Sequence, residues 1–122
     1  MARISTTEAN QALSTTGWGF VSLHSTDPTT SGATGELTGG SPVYARVAVT
    51  WNAPASGSVT NSNPLTFNFP ANATAAYFGV WSASTAGTYY IGGALNGGTP
   101  IVNGTSQGTI TIASAAITVT AS

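Results

Sequence analysis

Ser22, His24 and Asp27 form the group in this sequence whose types and spacing could support covalent catalysis. Two residues apart, Ser22 and His24 share one face of an extended strand, and Asp27 follows just beyond it, ahead of Pro28. A hydrolase built on them would use Ser22 as nucleophile and His24 as base. The competing reading is structural. It makes His24 a strand-end residue and Asp27 a turn initiator, because an Asp side chain bonds its own backbone two residues on. No G-x-S-x-G elbow accompanies the serine. The structural reading is preferred, so no catalytic residue is assigned and no enzyme is expected.

Metal and cofactor chemistry has as little to work with. His24 is the only histidine and cysteine is absent, which removes disulfides, thiolate zinc sites and thiol nucleophiles. A Ca²⁺ site from Asp27, Glu36 and loop carbonyls is conceivable, but two ordinary loop acids are the simpler account. Gly92-Gly93 and Gly97-Gly98 lack the strand-to-helix setting of a phosphate-binding loop. No metal and no cofactor are expected. Asn72-Ala73-Thr74 and Asn103-Gly104-Thr105 read as turns rather than glycosylation sites.

Charge is the most unusual property of the chain. Only 4% of its 122 residues are Asp, Glu, Lys or Arg, against about 25% in an ordinary globular protein. Arg3, Glu8, Asp27, Glu36 and Arg46 are the full set, for a net charge of −1. Such a chain cannot neutralise a row of phosphates and has no basic segment for anionic lipid. Nucleic acid and membrane are therefore excluded as partners. Disorder is excluded too, since 41% of residues are hydrophobic. The polar remainder is Ser, Thr, Asn and Gly. A surface of hydroxyls and amides with almost no net charge tends to associate, which suits a subunit of an assembly.

The elements that must position these residues are strands. Ser5-Thr6-Thr7-Glu8 fits a capping box and predicts a short N-terminal helix over about Thr6 to Leu13. From Trp18 onward the pattern alternates. Trp18 to His24 reads as a central strand, apolar on both faces. Ser25 to Ser41 is the longest loop. Tyr44 to Trp51 reads as a strand with Val47, Val49 and Trp51 inward and Arg46, Ala48 and Thr50 outward. A short β piece surrounds Val59, and Leu65 to Phe69 is the cleanest period-two run. Ala75 to Ala83 reads as a second two-faced strand, and Ser84-Thr85-Ala86-Gly87 turns it into Thr88 to Ile91. Gly92-Gly93 and Asn96-Gly97-Gly98 suggest a bulge or bend. Ile110 with Ile112, and Ile117 with Val119, mark two final strands. Roughly seven to nine short strands without βαβ alternation predict an all-β fold, an antiparallel β-sandwich or small barrel. The length fits a single domain over residues 1–122.

Aromatic residues admit two readings. Trp18, Trp51, Tyr77, Phe78, Trp81, Tyr89 and Tyr90 could line a sugar-binding platform, but most must fill the core of so small a sandwich. Tyr89 and Tyr90 point to opposite faces, so one of the two is expected to be exposed.

One order of residues is recognisable. Val21-Ser22-Leu23-His24-Ser25-Thr26-Asp27-Pro28 is followed by a Gly-rich loop and by Gly39 to Trp51. Phe67-Asn68-Phe69-Pro70 and Tyr77-Phe78-Gly79-Val80-Trp81-Ser82-Ala83 come after. The combination SLH-x-x-DP … YAR-x-x-x-x-W … G-x-WSA resembles a family of short virion proteins of tailed bacteriophages, especially those of actinobacteria, labelled tail fibre or head decoration proteins. The resemblance covers nearly the whole chain. It implies a structural component of the virion and carries over no catalytic residue.

Between the two virion roles, a fibre needs length from repeats, a coiled coil or an intertwined trimer, and the first two are absent from the sequence. A capsid decoration (cement) protein on the outside of the head is the expected role, with the major capsid protein and copies of itself as partners. A tail fibre, or a module binding host cell-wall carbohydrate, is the alternative. The start of the chain shows no targeting pattern, so synthesis in the host cytoplasm followed by assembly into the virion is expected. The candidate contact residues are Arg3 and Ile4 in the N-terminal arm, Asp27 and Glu36 in the long loop, and Arg46. Chain ends and loops are the segments free to order on a partner. Arg46 would meet an acid on a neighbouring subunit, or an intra-chain partner such as Glu36; the second is favoured.

Overall fold

A computed structural model describes residues 17–120. The expected helix over Thr6 to Leu13 lies outside these residues, as do the candidate contacts Arg3 and Ile4. The described chain is an all-β fold in which every ladder is antiparallel. Its strands are β1 (Phe20–His24), β2 (Val47–Ala48), β3 (Ser58–Thr60), β4 (Leu65–Phe69), β5 (Thr74–Ala75), β6 (Tyr77–Trp81), β7 (Tyr89–Ala94), β8 (Ile101–Val102), β9 (Gly108–Ile112) and β10 (Thr118–Thr120). A 3₁₀ turn at Asn96–Gly98 separates β7 from β8.

Four strands form the main sheet, in the order β2-β1-β6-β7. Three two-stranded ladders, β4-β9, β3-β10 and β5-β8, complete the fold. One contiguous apolar core joins them. Val21 and Leu23 of β1 and Phe78 and Val80 of β6 meet Leu65, Phe67 and Phe69 of β4, Ile110 and Ile112 of β9, and Val59 and Val119 of the β3-β10 pair. The period-two pattern explains the assignment. In β4 Leu65, Phe67 and Phe69 are buried while Thr66 is exposed, and in β9 Ile110 and Ile112 are buried between exposed Thr109 and Thr111. Each such large side chain stabilises the fold by about 1.5–3 kcal/mol on leaving water. Asn61 closes the lower end of this core. Its amide is fully buried, accepts from the Ile117 N–H and donates to the carbonyls of Asn63 and Ala113.

Three expectations need correcting. The run from Tyr44 to Trp51 is regular only at Val47–Ala48, with an isolated bridge between Trp51 and Asn61. The predicted strand from Ala75 to Ala83 is divided at Ala76, where the chain passes from one ladder to another. The Ala76 N–H still reaches the His24 carbonyl, so the path is continuous although the pairing partner changes. The bulge lies not at Gly92-Gly93 but opposite the Val80–Trp81 step, where Tyr90 is the extra residue. Gly92 sits inside β7 for a different reason. A Cβ there would fall 2.6 Å from the Pro28 ring and 2.8 Å from the Phe78 carbonyl, so glycine lets the long loop lie directly on the strand.

Candidate functional site

The outer face of the main sheet carries the residues singled out for chemistry. Ser22 and His24 project there from β1, and the register places Gly79 opposite Ser22 and Tyr77 opposite His24. Loop 25–41 folds back over this face. Its Glu36 bridges to His24, and the Leu37 N–H bonds the Leu23 carbonyl at 3.0 Å. Ser22 and His24 are consequently fully buried.

Their hydrogen bonds run in one direction. The Thr34 carbonyl lies 2.7 Å from His24 Nδ1, so Nδ1 carries the proton and donates. His24 Nε2 then accepts from the Ser22 hydroxyl at 2.7 Å, and Ser22 Oγ accepts from the Trp81 indole N–H at 2.8 Å. Every polar atom is matched while the imidazole is neutral. Burial is the largest influence on His24 and pushes its pKa below the usual 6.5, against the opposing Thr34 hydrogen bond and Glu36 charge. Protonation at Nε2 would force Ser22 Oγ to accept twice and leave its hydroxyl hydrogen without a partner. Gly79 makes room for the cluster, since a Cβ there would lie 2.6 Å from Ser22 Oγ and 3.1 Å from His24 Nε2. The serine–histidine pair has the hydrogen bond of a nucleophile and its base. It has no opening to solvent, and a backbone carbonyl takes the place of a carboxylate behind the histidine. The arrangement latches loop 25–41 to the sheet.

Glu36 and Arg46, candidate contacts with a neighbouring subunit, are joined to each other, the intra-chain pairing favoured from the sequence. Arg46 Nε donates to Glu36 Oε2 at 2.9 Å and Nη2 to Oε1 at 2.9 Å, with the two side chains 9% and 23% exposed. Arg46 Nη1 reaches the carbonyls of Ala83 and Ala86, and the guanidinium lies 3.6 Å above the Trp81 ring. The physical reason is the loop: by covering the sheet it brings an acid to Arg46 and an indole face beneath it. Tyr44 completes the lid. Its hydroxyl donates to Glu36 Oε2 and accepts from the Leu23 N–H; burial above all pushes this phenol well above its ordinary range. A groove of about 340 Å³ runs beside the pair, lined by Glu36, Tyr44, Arg46 and the turn at Ser84–Ala86.

Asp27 is not brought into either cluster. It is exposed, and Oδ1 accepts from the Thr29 N–H at 2.8 Å, the turn geometry that its residue type favours. It lines a second groove of about 340 Å³ with Ser25, Thr26, Tyr77 and Pro100. Glu36 and Asp27 thus have separate partners. Among the described residues no three acidic or imidazole side chains converge.

The aromatic residues divide as follows. Phe78 and Trp81 are buried, while Tyr77 and Tyr89 are half-buried. Tyr89 packs edge-on to Trp81 and donates to the Thr29 carbonyl. Tyr90 is 43% exposed. Trp18 lies between Tyr90 and Trp51, with ring centroids 6.3 Å and 5.6 Å away. Sequence reasoning missed Tyr44 and the stack of Arg46 on Trp81. Neither has a local signal, because both depend on how the loop folds across the sheet.

No curated protein and no solved structure matches the chain. The family described as "Podophage GP4 fiber I protein gp80" matches residues 4–120, a span that takes in all the strands described above. The chain belongs to that family, and with it to the virion proteins of bacteriophages.

Proposed function

We propose that this protein is a non-enzymatic structural component of a phage fibre, a globular β-sandwich module that attaches through hydroxyl, amide and backbone contacts to other virion proteins and to copies of itself. The observation that carries this reading is the family match over residues 4–120, whose description names a fibre protein. The geometry supports it. The serine–histidine pair is sealed, and two of the three charges within residues 17–120 neutralise each other, so the exterior is shaped for contact and offers nothing to phosphates or lipid. The protein is made in the host cytoplasm and resides in the virion. An actinobacterial host is supported by the SLH-x-x-DP … G-x-WSA combination alone; the family description speaks of a podophage.

Capsid decoration, with the major capsid protein as partner, is the second reading. It is favoured by a compact sandwich with no repeat or coiled coil among the described residues to build a shaft. Gold-labelled antibody against the protein on negatively stained virions decides between them. Label on the fibres is expected. Label spread over the head establishes decoration, and an unlabelled particle overturns both readings.

A further inference from the structure

We propose that Trp18, Trp51 and Tyr90, at one end of the main sheet, bind a neutral saccharide against their ring faces. This rests on the fibre reading above and names the kind of partner such a fibre would touch.

The first support is the way Tyr90 is exposed. Val80 pairs with Ile91 and Trp81 with Tyr89, so Tyr90 is the unpaired residue of a bulge. A bulge re-aims a side chain at the cost of a regular ladder, and such irregularities recur beside functional sites. Tyr90 is the most exposed aromatic side chain among the described residues.

The second support is that the rings are held in place before any ligand arrives. The Trp51 indole N–H donates to the Trp18 carbonyl at 2.8 Å. Trp18 and Tyr90 are inclined by 34°, and Trp18 and Trp51 meet edge to face at 78°. Gly17 stands at φ +89°, and a Cβ there would lie 2.9 Å from the Tyr90 hydroxyl, so the glycine leaves the phenol its place beside Trp18. Rings fixed in this way lose little freedom on binding.

The third support is charge. Asp27 lies in its own groove, and Glu36 is paired with Arg46 beneath the long loop. Trp18, Trp51 and Tyr90 are held by contacts with one another, through ring packing and the Trp51 N–H to Trp18 carbonyl bond. Among the described residues the one arginine, Arg46, is already bound to Glu36, so an anionic sugar would gain no cation from it. Aromatic faces carry negative potential and attract the weakly positive C–H face of a pyranose, whose hydroxyls remain solvated. A protein partner fits less well. A stable protein interface covers about 800 Å² on each side and centres on Trp, Tyr and Arg anchors; here Trp18 and Trp51 are partly buried against the core and Arg46 is engaged elsewhere.

The test is titration of the full-length protein with a panel of neutral hexasaccharides of different linkage, and with neutral polysaccharide from the host envelope, read by tryptophan fluorescence and by amide shifts. Binding by at least one of them is expected, with shifts at Trp18, Trp51 and Tyr90. Tyr90→Ala should weaken it about tenfold, whereas Tyr90→Phe, which keeps the ring face, should stay within about threefold. Tyr90→Phe should melt with the wild type, and Tyr90→Ala, which gives up a ring more than half covered, should lower the melting temperature modestly while leaving the protein folded at the titration temperature. The proposal is overturned if no neutral saccharide binds, if Tyr90→Ala binds as well as wild type, or if only anionic sugars bind. The fibre reading fails independently, on the gold label; a labelled fibre whose protein ignores every sugar removes the saccharide site alone.

Discussion

The two faces of β1 and β6 are both closed to water, yet different chemistry closes them. On the inner face Val21, Leu23, Phe78 and Val80 meet other apolar side chains. On the outer face Ser22, His24 and Trp81 meet a loop through a chain of directed hydrogen bonds and one ion pair. The inner face is held by area, which is non-directional and indifferent to protons. The outer face is held by a few bonds whose loss leaves a buried polar atom exposed to no partner. The first defines the fold; the second fixes where a seventeen-residue segment from Ser25 to Ser41 lies on it.

The contrast can be broken from the inner side first. Phe67→Ala removes a fully buried ring at the centre of the core and should cost about 3–5 kcal/mol, measured by urea denaturation. On the outer side Gly79→Ala inserts a methyl against Ser22 and His24 and should cost about 1–3 kcal/mol. A larger loss than that of Phe67→Ala would show that the polar face, not the apolar one, dominates stability.

Glu36→Gln sharpens the comparison, because it strands a guanidinium that is only 9% exposed. With Glu36 itself 23% exposed, the expected loss is about 1–2 kcal/mol, less than for a fully buried pair. Coupling to Arg46→Met in a double-mutant cycle should recover part of it. Protons probe the same latch. The folded His24 resists protonation while the unfolded chain takes up a proton near 6.5. Stability is therefore complete above that pH and declines as pH falls below it toward the folded value. Unfolding midpoints at pH 7.5 and 5 should reveal the decline, and amide exchange in loop 25–41 should quicken before that of β4. The smallest effect belongs to Asp27→Asn, an exposed turn residue whose amide oxygen still accepts from Thr29; a change within about 0.5 kcal/mol is expected.

How much of this was legible in the sequence follows the same division. The alternation of Leu65 to Phe69 and of Ile110 with Ile112 announced the inner face, because a period of two is a local property of the chain. The side-by-side placement of Ser22 and His24 was legible for the same reason. Their burial was not. It depends on a loop without periodicity, pinned by Thr34 and Glu36 at positions no local rule singles out. Arg46 shows the limit plainly: its parity was read correctly as opposite to Val47, but parity does not say whether the far side is water or protein. The displaced bulge was missed likewise, since Gly92 and Gly93 carry the usual signal while Tyr90 carries none.

The bidentate link between Glu36 and Arg46 has one more consequence. A surface on which Arg46 and Glu36 neutralise each other has few counterions to release on contact and little long-range field to be screened. If the protein serves in a fibre as proposed, contacts made by such a surface should change little between low and high salt.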